Sequence, residues 1–153
     1  CLAGKVELLK DYLSPSAPWT PFRELSFPQY LDTFPATSVN AGMLVGHNTL
    51  RLMAMGMADR APTPAELEAM LSLLEDGLKA GALGMSSGLF YEEAFAAPAD
   101  EVTALARVVA RHGGVYATHM RDEHDKVLGV FTAVDALRAL ADALREPRAA
   151  AHP

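Results

Sequence analysis

Three short apolar runs, each followed by a segment of helical periodicity, constrain the fold of this chain more than any other feature of its sequence. The runs lie at 41–47, 82–86 and 115–119. A strand, a helix and a second strand at this spacing are typical of parallel βαβ units. The pattern therefore predicts an α/β fold with about three parallel βα units.

Two architectures contain such units, a small doubly wound sheet and an arc of a (β/α)₈ barrel. Periodicity alone does not choose between them. A complete barrel needs about 250 residues, so on the barrel interpretation the 153 residues of this chain form under half of one. The predicted regions are an irregular, partly helical lead-in at 1–38, the βα units at 39–146 and a disordered tail at 147–153.

The clearest predicted helix begins after Thr63. Thr63 is a typical N-cap, Pro64 suits the first helical position and Glu66 completes a capping box. Apolar residues then recur at three- and four-residue steps, and Lys79 and Gly81 indicate the end of the helix. The other predicted helices lie at 6–13, within 26–34, at 48–57, at about 98–112 and from about 124 to 145.

Composition and charge exclude several classes of function. The net charge is −6 and no basic cluster is present, so the chain has no electrostatic signature of nucleic-acid binding. No run approaches the roughly 18 apolar residues of a membrane helix. The single cysteine, Cys1, cannot form an internal disulfide, which favours a cytoplasmic location.

Ligands of parallel α/β folds bind at the carboxyl ends of the strands. This rule selects His47, the stretch Ser86-Ser87-Gly88, and His119. An imidazole at His119 is suited to bind a metal ion, and the alternative is a half-buried histidine bonded to the adjacent loop. His47 has the same placement, but Asn48-Thr49 after it resemble a helix cap, so a structural role is favoured.

The remaining polar positions have simpler interpretations. Ser86 satisfies the Gly-x-Ser-x-Gly pattern of a nucleophile elbow, but no partner histidine or acid is identifiable in the sequence. The adjacent pair Glu92-Glu93 is expected to be solvated. His112 precedes Gly113-Gly114 and suits the end of a helix.

Three stretches together resemble the D-aminoacylases, the N-acyl-D-amino-acid deacylases of the amidohydrolase superfamily. They are Leu-Val-Gly-His-Asn-Thr-Leu-Arg at 44–51, Gly-Ala-Leu-Gly-Met-Ser-Ser-Gly-Leu-Phe-Tyr at 81–91, and Gly-Gly-Val-Tyr-Ala-Thr-His-Met-Arg-Asp-Glu at 113–123. Their order and spacing also agree with the family, and the similarity covers residues 27 to 127. The combination is more specific than any one stretch.

The resemblance implies a (β/α)₈ barrel with zinc at the carboxyl ends of its strands. It implies hydrolysis of the amide of N-acyl-D-amino acids to a D-amino acid and a carboxylate. The zinc-binding histidine of the family matches His119, and the tyrosine of its substrate pocket matches Tyr91. The family's His-x-His pair, its cysteine ligand and its catalytic aspartate have no counterpart here, and Cys1 lacks the required neighbours.

With one zinc ligand and no identifiable general base, we expect the isolated chain to be inactive and to bind zinc weakly. A partial barrel leaves two sheet edges unpaired, which predicts self-association. Two other functions fit the same stretches. One is an amidohydrolase of the hydantoinase or dihydroorotase type that acts on a cyclic amide, and the other is a non-catalytic binding or assembly module.

Overall fold

A computed structural model describes residues 5–15, 17–19 and 21–121 of the chain. Its strands are β1 (Leu44–Gly46), β2 (Gly84–Gly88) and β3 (Val115–His119). Its helices are α1 (Val6–Leu13), α2 (Phe27–Leu31), α3 (His47–Met55), α4 (Pro64–Lys79), α5 (Glu92–Phe95) and α6 (Ala99–Arg111). Among these helices, none combines the length and the apolar character needed to cross a bilayer.

The three strands form one parallel sheet in the order β1-β2-β3. Leu44 pairs with Gly84, which pairs with Val115, and at the other end Gly88 pairs with His119. The three parallel strands and the helices that flank them confirm the predicted α/β fold. Since all three strands run in one direction, their carboxyl ends lie at one edge of the sheet.

The two faces of the sheet differ in character. Val45 and Met85 are buried and pack with the apolar stripes of α4 and α6. Side chains alternate along a strand, so the opposite face, which we call the open face, carries the other residues of each strand. These are Leu44, Gly46, Gly84, Ser86, Gly88, Val115, Ala117 and His119.

The close approach of α4 to β1 depends on a glycine. A Cβ atom added at Gly77 would lie 2.7 Å from Cγ2 of Val45, which is too short for a real contact. Without that side chain, Val45 packs directly on the helix backbone. Phe27 of α2 contacts the same point, at 3.7 Å from the added atom, so the lead-in covers this side of the sheet.

A buried ionic network ties the β1–α3 corner to the first turn of α6. Nε2–H of His47 donates to Oε1 of Glu101 at 2.7 Å, and Nη1 of Arg51 donates to both carboxylate oxygens of Glu101 at 2.9 and 2.6 Å. The other guanidinium nitrogens of Arg51 donate to the backbone carbonyls of Glu93 and Arg60. All three side chains are almost fully buried.

Burial alone would raise the pKa of Glu101. The hydrogen bonds from His47 and Arg51 and the charge of Arg51 outweigh burial and lower the pKa of Glu101 below its ordinary value of 4.5. The carboxylate therefore stays ionised in the folded protein, where it neutralises the buried guanidinium. The prediction of a structural role for His47 is confirmed.

Several predicted boundaries and one cap differ from the structure. The first strand begins at Leu44 rather than at position 41, because its neighbour β2 begins only at Gly84. His47 is the first residue of α3, and Gly46 occupies the N-cap without a side-chain bond, so the cap predicted at Asn48-Thr49 is wrong. Helix α5 lies in a segment predicted to be loop.

The predicted helix starts after Ser26 and Thr63 are confirmed, each with a complete capping box. The last predicted helix, at about 124–145, and the tail at 147–153 lie outside the described residues. The domain boundaries proposed from the sequence stay a prediction.

The buried network generates the first testable prediction. Replacing Glu101 by Gln keeps the shape of the side chain but leaves the Arg51 charge buried without its counter-ion. We expect a loss of about 3–5 kcal/mol in the free energy of unfolding, the usual cost of breaking a buried pair. The measurement is urea denaturation at pH 7. The control is Asp100→Asn, at the neighbouring, exposed position of the same helix turn.

The pH dependence follows from the lowered pKa. A carboxyl group with a lower pKa in the folded state stabilises the protein above its unfolded pKa. The difference between wild type and Glu101→Gln should therefore persist from pH 7 to about 4.5 and shrink at lower pH. Equal stability of the two proteins at pH 7 would contradict the assignment.

Candidate active site

The candidate site lies where the carboxyl ends of β2 and β3 meet. His119 is the last residue of β3, on the open face and exposed, and it pairs in register with Gly88 at the end of β2. Three residues beyond Gly88, the ring of Tyr91 lies 5.4 Å from the His119 ring, and the Phe90 ring lies 5.7 Å from it. The two residues selected from the sequence are therefore adjacent in space.

The orientation of His119 is defined by its own loop. Nδ1 of His119 lies 3.1 Å from the carbonyl oxygen of Met120, and since a carbonyl only accepts, the Nδ1–H donates. In this tautomer Nε2 carries no hydrogen. The alternative expectation for His119, a half-buried histidine bonded to the loop, is correct about the hydrogen bond, but the side chain is exposed.

The turn that carries Tyr91 is bonded to both neighbouring strands. The Tyr91 N–H donates to the Gly88 carbonyl at 3.2 Å, which closes the turn, and the Leu89 N–H donates to the carbonyl of His119 at 3.1 Å. A Cβ atom at Gly88 would lie 2.5 Å from Cδ2 of Tyr91. Glycine at this position therefore lets the tyrosine ring lie against the end of β2.

The segment after His119 is held by Arg121. Its Nη2 donates to the carbonyl of Ala97 at 2.6 Å, and its guanidinium lies 5.8 Å from the centre of the Phe95 ring. A cation over an aromatic face is attracted by the ring quadrupole. Arg121 thus joins the end of β3 to the segment between α5 and α6.

Two side chains near the site were not identified as such from the sequence. The side chain of Asn48 bonds both backbone groups of Gly88, and Glu93, expected to be solvated, is buried and accepts a hydrogen bond from Asn48. Both contacts join residues 40 or more positions apart. A local pattern carries no signal for such contacts.

The serine candidates do not form a nucleophilic site. The Ser87 hydroxyl lies on the helix-covered side and bonds the hydroxyls of Tyr116 and Thr118, at 2.6 and 2.8 Å. Neither partner is a general base at neutral pH. Ser86 lies on the open face between Gly46 and Ala117, which carry no titratable group.

The residues that the structure describes include no group of three histidine, cysteine or carboxylate side chains able to hold a metal ion. His119, which the sequence predicts to bind zinc, therefore belongs to no such group within the described residues. A separate apolar cavity of about 470 Å³ lies between the lead-in helices and β1–α3, and its lining includes neither Tyr91 nor His119.

Comparisons with known proteins identify similar chains. No family model matches the chain. The D-aminoacylase of Alcaligenes xylosoxydans xylosoxydans is 43% identical over 109 residues, and the N-acyl-D-aspartate deacylase of the same organism is 44% identical over 110 residues. Each match covers 70% of this chain and 22% of the relative, so the chain spans about a fifth of the length of these relatives.

Solved structures give the same result. A D-aminoacylase, described as defining a novel subset of amidohydrolases, superimposes with a TM-score of 0.65 at 41% identity, over 72% of this chain and 24% of its own. The N-acyl-D-glutamate deacylase of Bordetella bronchiseptica, complexed with zinc and a phosphonate inhibitor, superimposes with a TM-score of 0.67 at 39% identity, over 78% and 25%. Over about 70% of its length, the chain is therefore homologous to the D-aminoacylases and related N-acyl-D-amino-acid deacylases, which are amidohydrolases.

Proposed function

We propose that this chain is one segment of a zinc-dependent hydrolase that cleaves the amide bond of N-acyl-D-amino acids to a D-amino acid and a carboxylate. The observation that carries the proposal is the adjacency of Tyr91 and His119, at 5.4 Å, where the parallel strands end. The homology to deacylases supports it, and their names favour a linear N-acyl-D-amino acid over a cyclic amide.

We infer that the three strands form an arc of a (β/α)₈ barrel. In such barrels the helices cover the outer face of the sheet, and catalytic residues come from the carboxyl ends of the strands. The core packing of Val45 and Met85 against helices, and the position of His119 on the opposite face, support this interpretation. A cytoplasmic location is proposed from the single cysteine alone.

Among the described residues, His119 fits a zinc ion as one member of a larger set of ligands. An exposed imidazole whose Nδ1–H is bonded to a backbone carbonyl is the usual form of a zinc-binding histidine, and Nε2 is then the ligand. Catalytic zinc sites normally use three protein ligands. We therefore propose that His119 supplies one of them and that the isolated chain binds zinc weakly.

Zinc, when bound, would lower the pKa of a coordinated water and so make a nucleophile available at neutral pH, and it would also polarise the amide carbonyl. In this chain His119 would hold the metal, and the Met120 carbonyl sets the tautomer of its imidazole. Tyr91 presents a ring and a hydroxyl beside that position and would orient the N-acyl-D-amino acid. No general base is assigned among the described residues.

We also propose that the chain associates with itself. The order β1-β2-β3 leaves two edge strands within the described residues, and Val115 on the open face is 50% exposed. Unpaired edges of this kind are templates for pairing with another copy.

The self-association proposal predicts a mass above the 16.4 kDa of one chain in light scattering coupled to size exclusion. Val115→Glu places a charge on the edge strand and should shift the chain toward the monomer. Val39→Glu is the matched control, at an exposed valine outside the strands. A wild-type monomer at all concentrations would refute the proposal.

The metal role of His119 is tested in a chimera. The homologous segment of the Alcaligenes D-aminoacylase is replaced by that of this chain, and zinc content and turnover of N-acetyl-D-methionine are measured. We expect activity in the chimera, and a loss of at least about 100-fold with reduced zinc in His119→Ala, because a direct ligand matters more than its supporting contacts.

The control for that experiment is His112→Ala, which removes a histidine at the C-cap of α6 and should leave zinc and turnover unchanged. The isolated chain serves as the reference and should hold no stoichiometric zinc after dialysis. Full zinc content in the His119→Ala chimera would contradict the ligand assignment.

The substrate role of Tyr91 is tested by Tyr91→Phe in the same chimera. Loss of one hydroxyl hydrogen bond, worth about 0.5–1.5 kcal/mol, should raise KM about three- to ten-fold with little change in zinc content. Tyr30→Phe in α2 is the control, since Tyr30 lies in the lead-in. An unchanged KM in Tyr91→Phe would show that the Tyr91 hydroxyl does not bind the substrate.

A further inference from the structure

Asn48 makes a pair of contacts that no part of the proposed reaction explains. It is the second residue of α3, directly after β1, and its side chain reaches the end of β2. The Gly88 N–H donates to Oδ1 of Asn48 at 3.1 Å, and Nδ2 of Asn48 donates to the Gly88 carbonyl at 3.2 Å. The Asn48 side-chain amide thus forms hydrogen bonds with both the N–H and the carbonyl of Gly88.

The residue held in this way is the first of the turn that carries Tyr91. The Gly88 carbonyl accepts from both Asn48 and the Tyr91 N–H. The missing Cβ of Gly88 leaves the space that the Tyr91 ring occupies, and the same added atom would lie 3.6 Å from Nδ2 of Asn48. The tyrosine ring and the asparagine amide therefore both lie beside Gly88.

The side chain of Asn48 is also linked to the buried ionic network through Glu93. Nδ2 of Asn48 also donates to Oε2 of Glu93 at 3.3 Å, and the Glu93 carbonyl accepts from Nε of Arg51 at 2.6 Å. Arg51 is in turn paired with Glu101. Hydrogen bonds to the side chain and the backbone of Glu93 thus link the buried ionic network with the turn that carries Tyr91.

We propose that Asn48 is a positioning residue that fixes the distance between the Tyr91 and His119 rings. The chemistry of the side chain favours this role, because a carboxamide offers a donor and an acceptor on one group. An aspartate at this position still accepts from the Gly88 N–H. It has no proton for the Gly88 carbonyl, and it places a second carboxylate against Glu93.

The consequence for the site rests on the proposed function, but the positioning itself does not. Tyr91 and His119 lie on separate strand ends, and the turn at 88–91 is the link between them. If Asn48 no longer holds Gly88, the ring of Tyr91 is free to leave the His119 ring while the core of the sheet remains packed.

The test is proton NMR of the complete 153-residue chain without metal. The readouts are the ring-current shift of the His119 imidazole protons and the cross-relaxation between the Tyr91 and His119 rings. Tyr91→Ala defines the shift of His119 without the Tyr91 ring and with the Phe90 ring retained. We expect Asn48→Asp to move the His119 signals at least halfway toward that value and to weaken the cross-relaxation.

Asn40→Asp is the matched control, because it makes the same chemical change at an exposed asparagine before β1. The methyl signals of the buried Met70 and Met85 report whether each variant is folded. Asn48→Ala and Gly88→Ala are further variants, and Gly88→Ala should displace the tyrosine ring with the Asn48 amide intact. If folded Asn48→Asp and Asn48→Ala retain the wild-type His119 signals, the proposal is refuted.

A second readout separates positioning from mere stability. In the chimeric enzyme, Asn48→Asp should raise KM several-fold, as Tyr91→Phe does, with zinc content unchanged. Loss of zinc with unchanged KM would overturn the positioning role. An inactive chimera with the expected NMR changes would refute the proposed function and leave the role of Asn48 intact.

Discussion

Parallel pairing of β1, β2 and β3 is the constraint on which the rest of the structure depends. It places the carboxyl ends of three strands at one edge, and so brings together Asn48, Gly88 and His119, which are 40 and 31 positions apart in sequence. Each of these residues follows or ends a strand, where the backbone leaves the sheet. A shift of register would separate them, because side chains alternate between the two faces.

The interior and the open face have different tasks. The interior holds an ion network whose charges are fully paired, which is the condition under which buried charges are tolerated. Its members come from the β1–α3 corner and from α6, so it defines how the strands' connecting helices sit against each other. Through Glu93 and Asn48 the same network reaches the turn at the open face. The exposed pair of Tyr91 and His119 thus lies beside a turn that is hydrogen-bonded to buried side chains.

The sequence predicts the parts of this arrangement that depend on local patterns. The short helix after Ser26, the capping box at Thr63, the bounds of β3 and the parallel strands follow from periodicity and turn chemistry. The role of Asn48 was missed because an asparagine at the start of a helix has two competing uses, and the local one, capping, is the more common. The buried carboxylate of Glu93 accepts from Asn48 and its carbonyl accepts from Arg51, 45 and 42 positions away, and no spacing rule reports such contacts. Tyr91 and His119 were predicted as site residues from resemblance to a family, and the structure shows only that their rings lie 5.4 Å apart.

We propose that the imidazole of His119 faces a metal position at the ends of the strands. Anomalous diffraction at the zinc edge, from crystals of the chimeric enzyme, tests this orientation. We expect a zinc peak about 2.0–2.1 Å from a ring nitrogen of His119, with the Tyr91 ring lining the same space. A fully occupied zinc site that leaves this imidazole without a metal bond would contradict it.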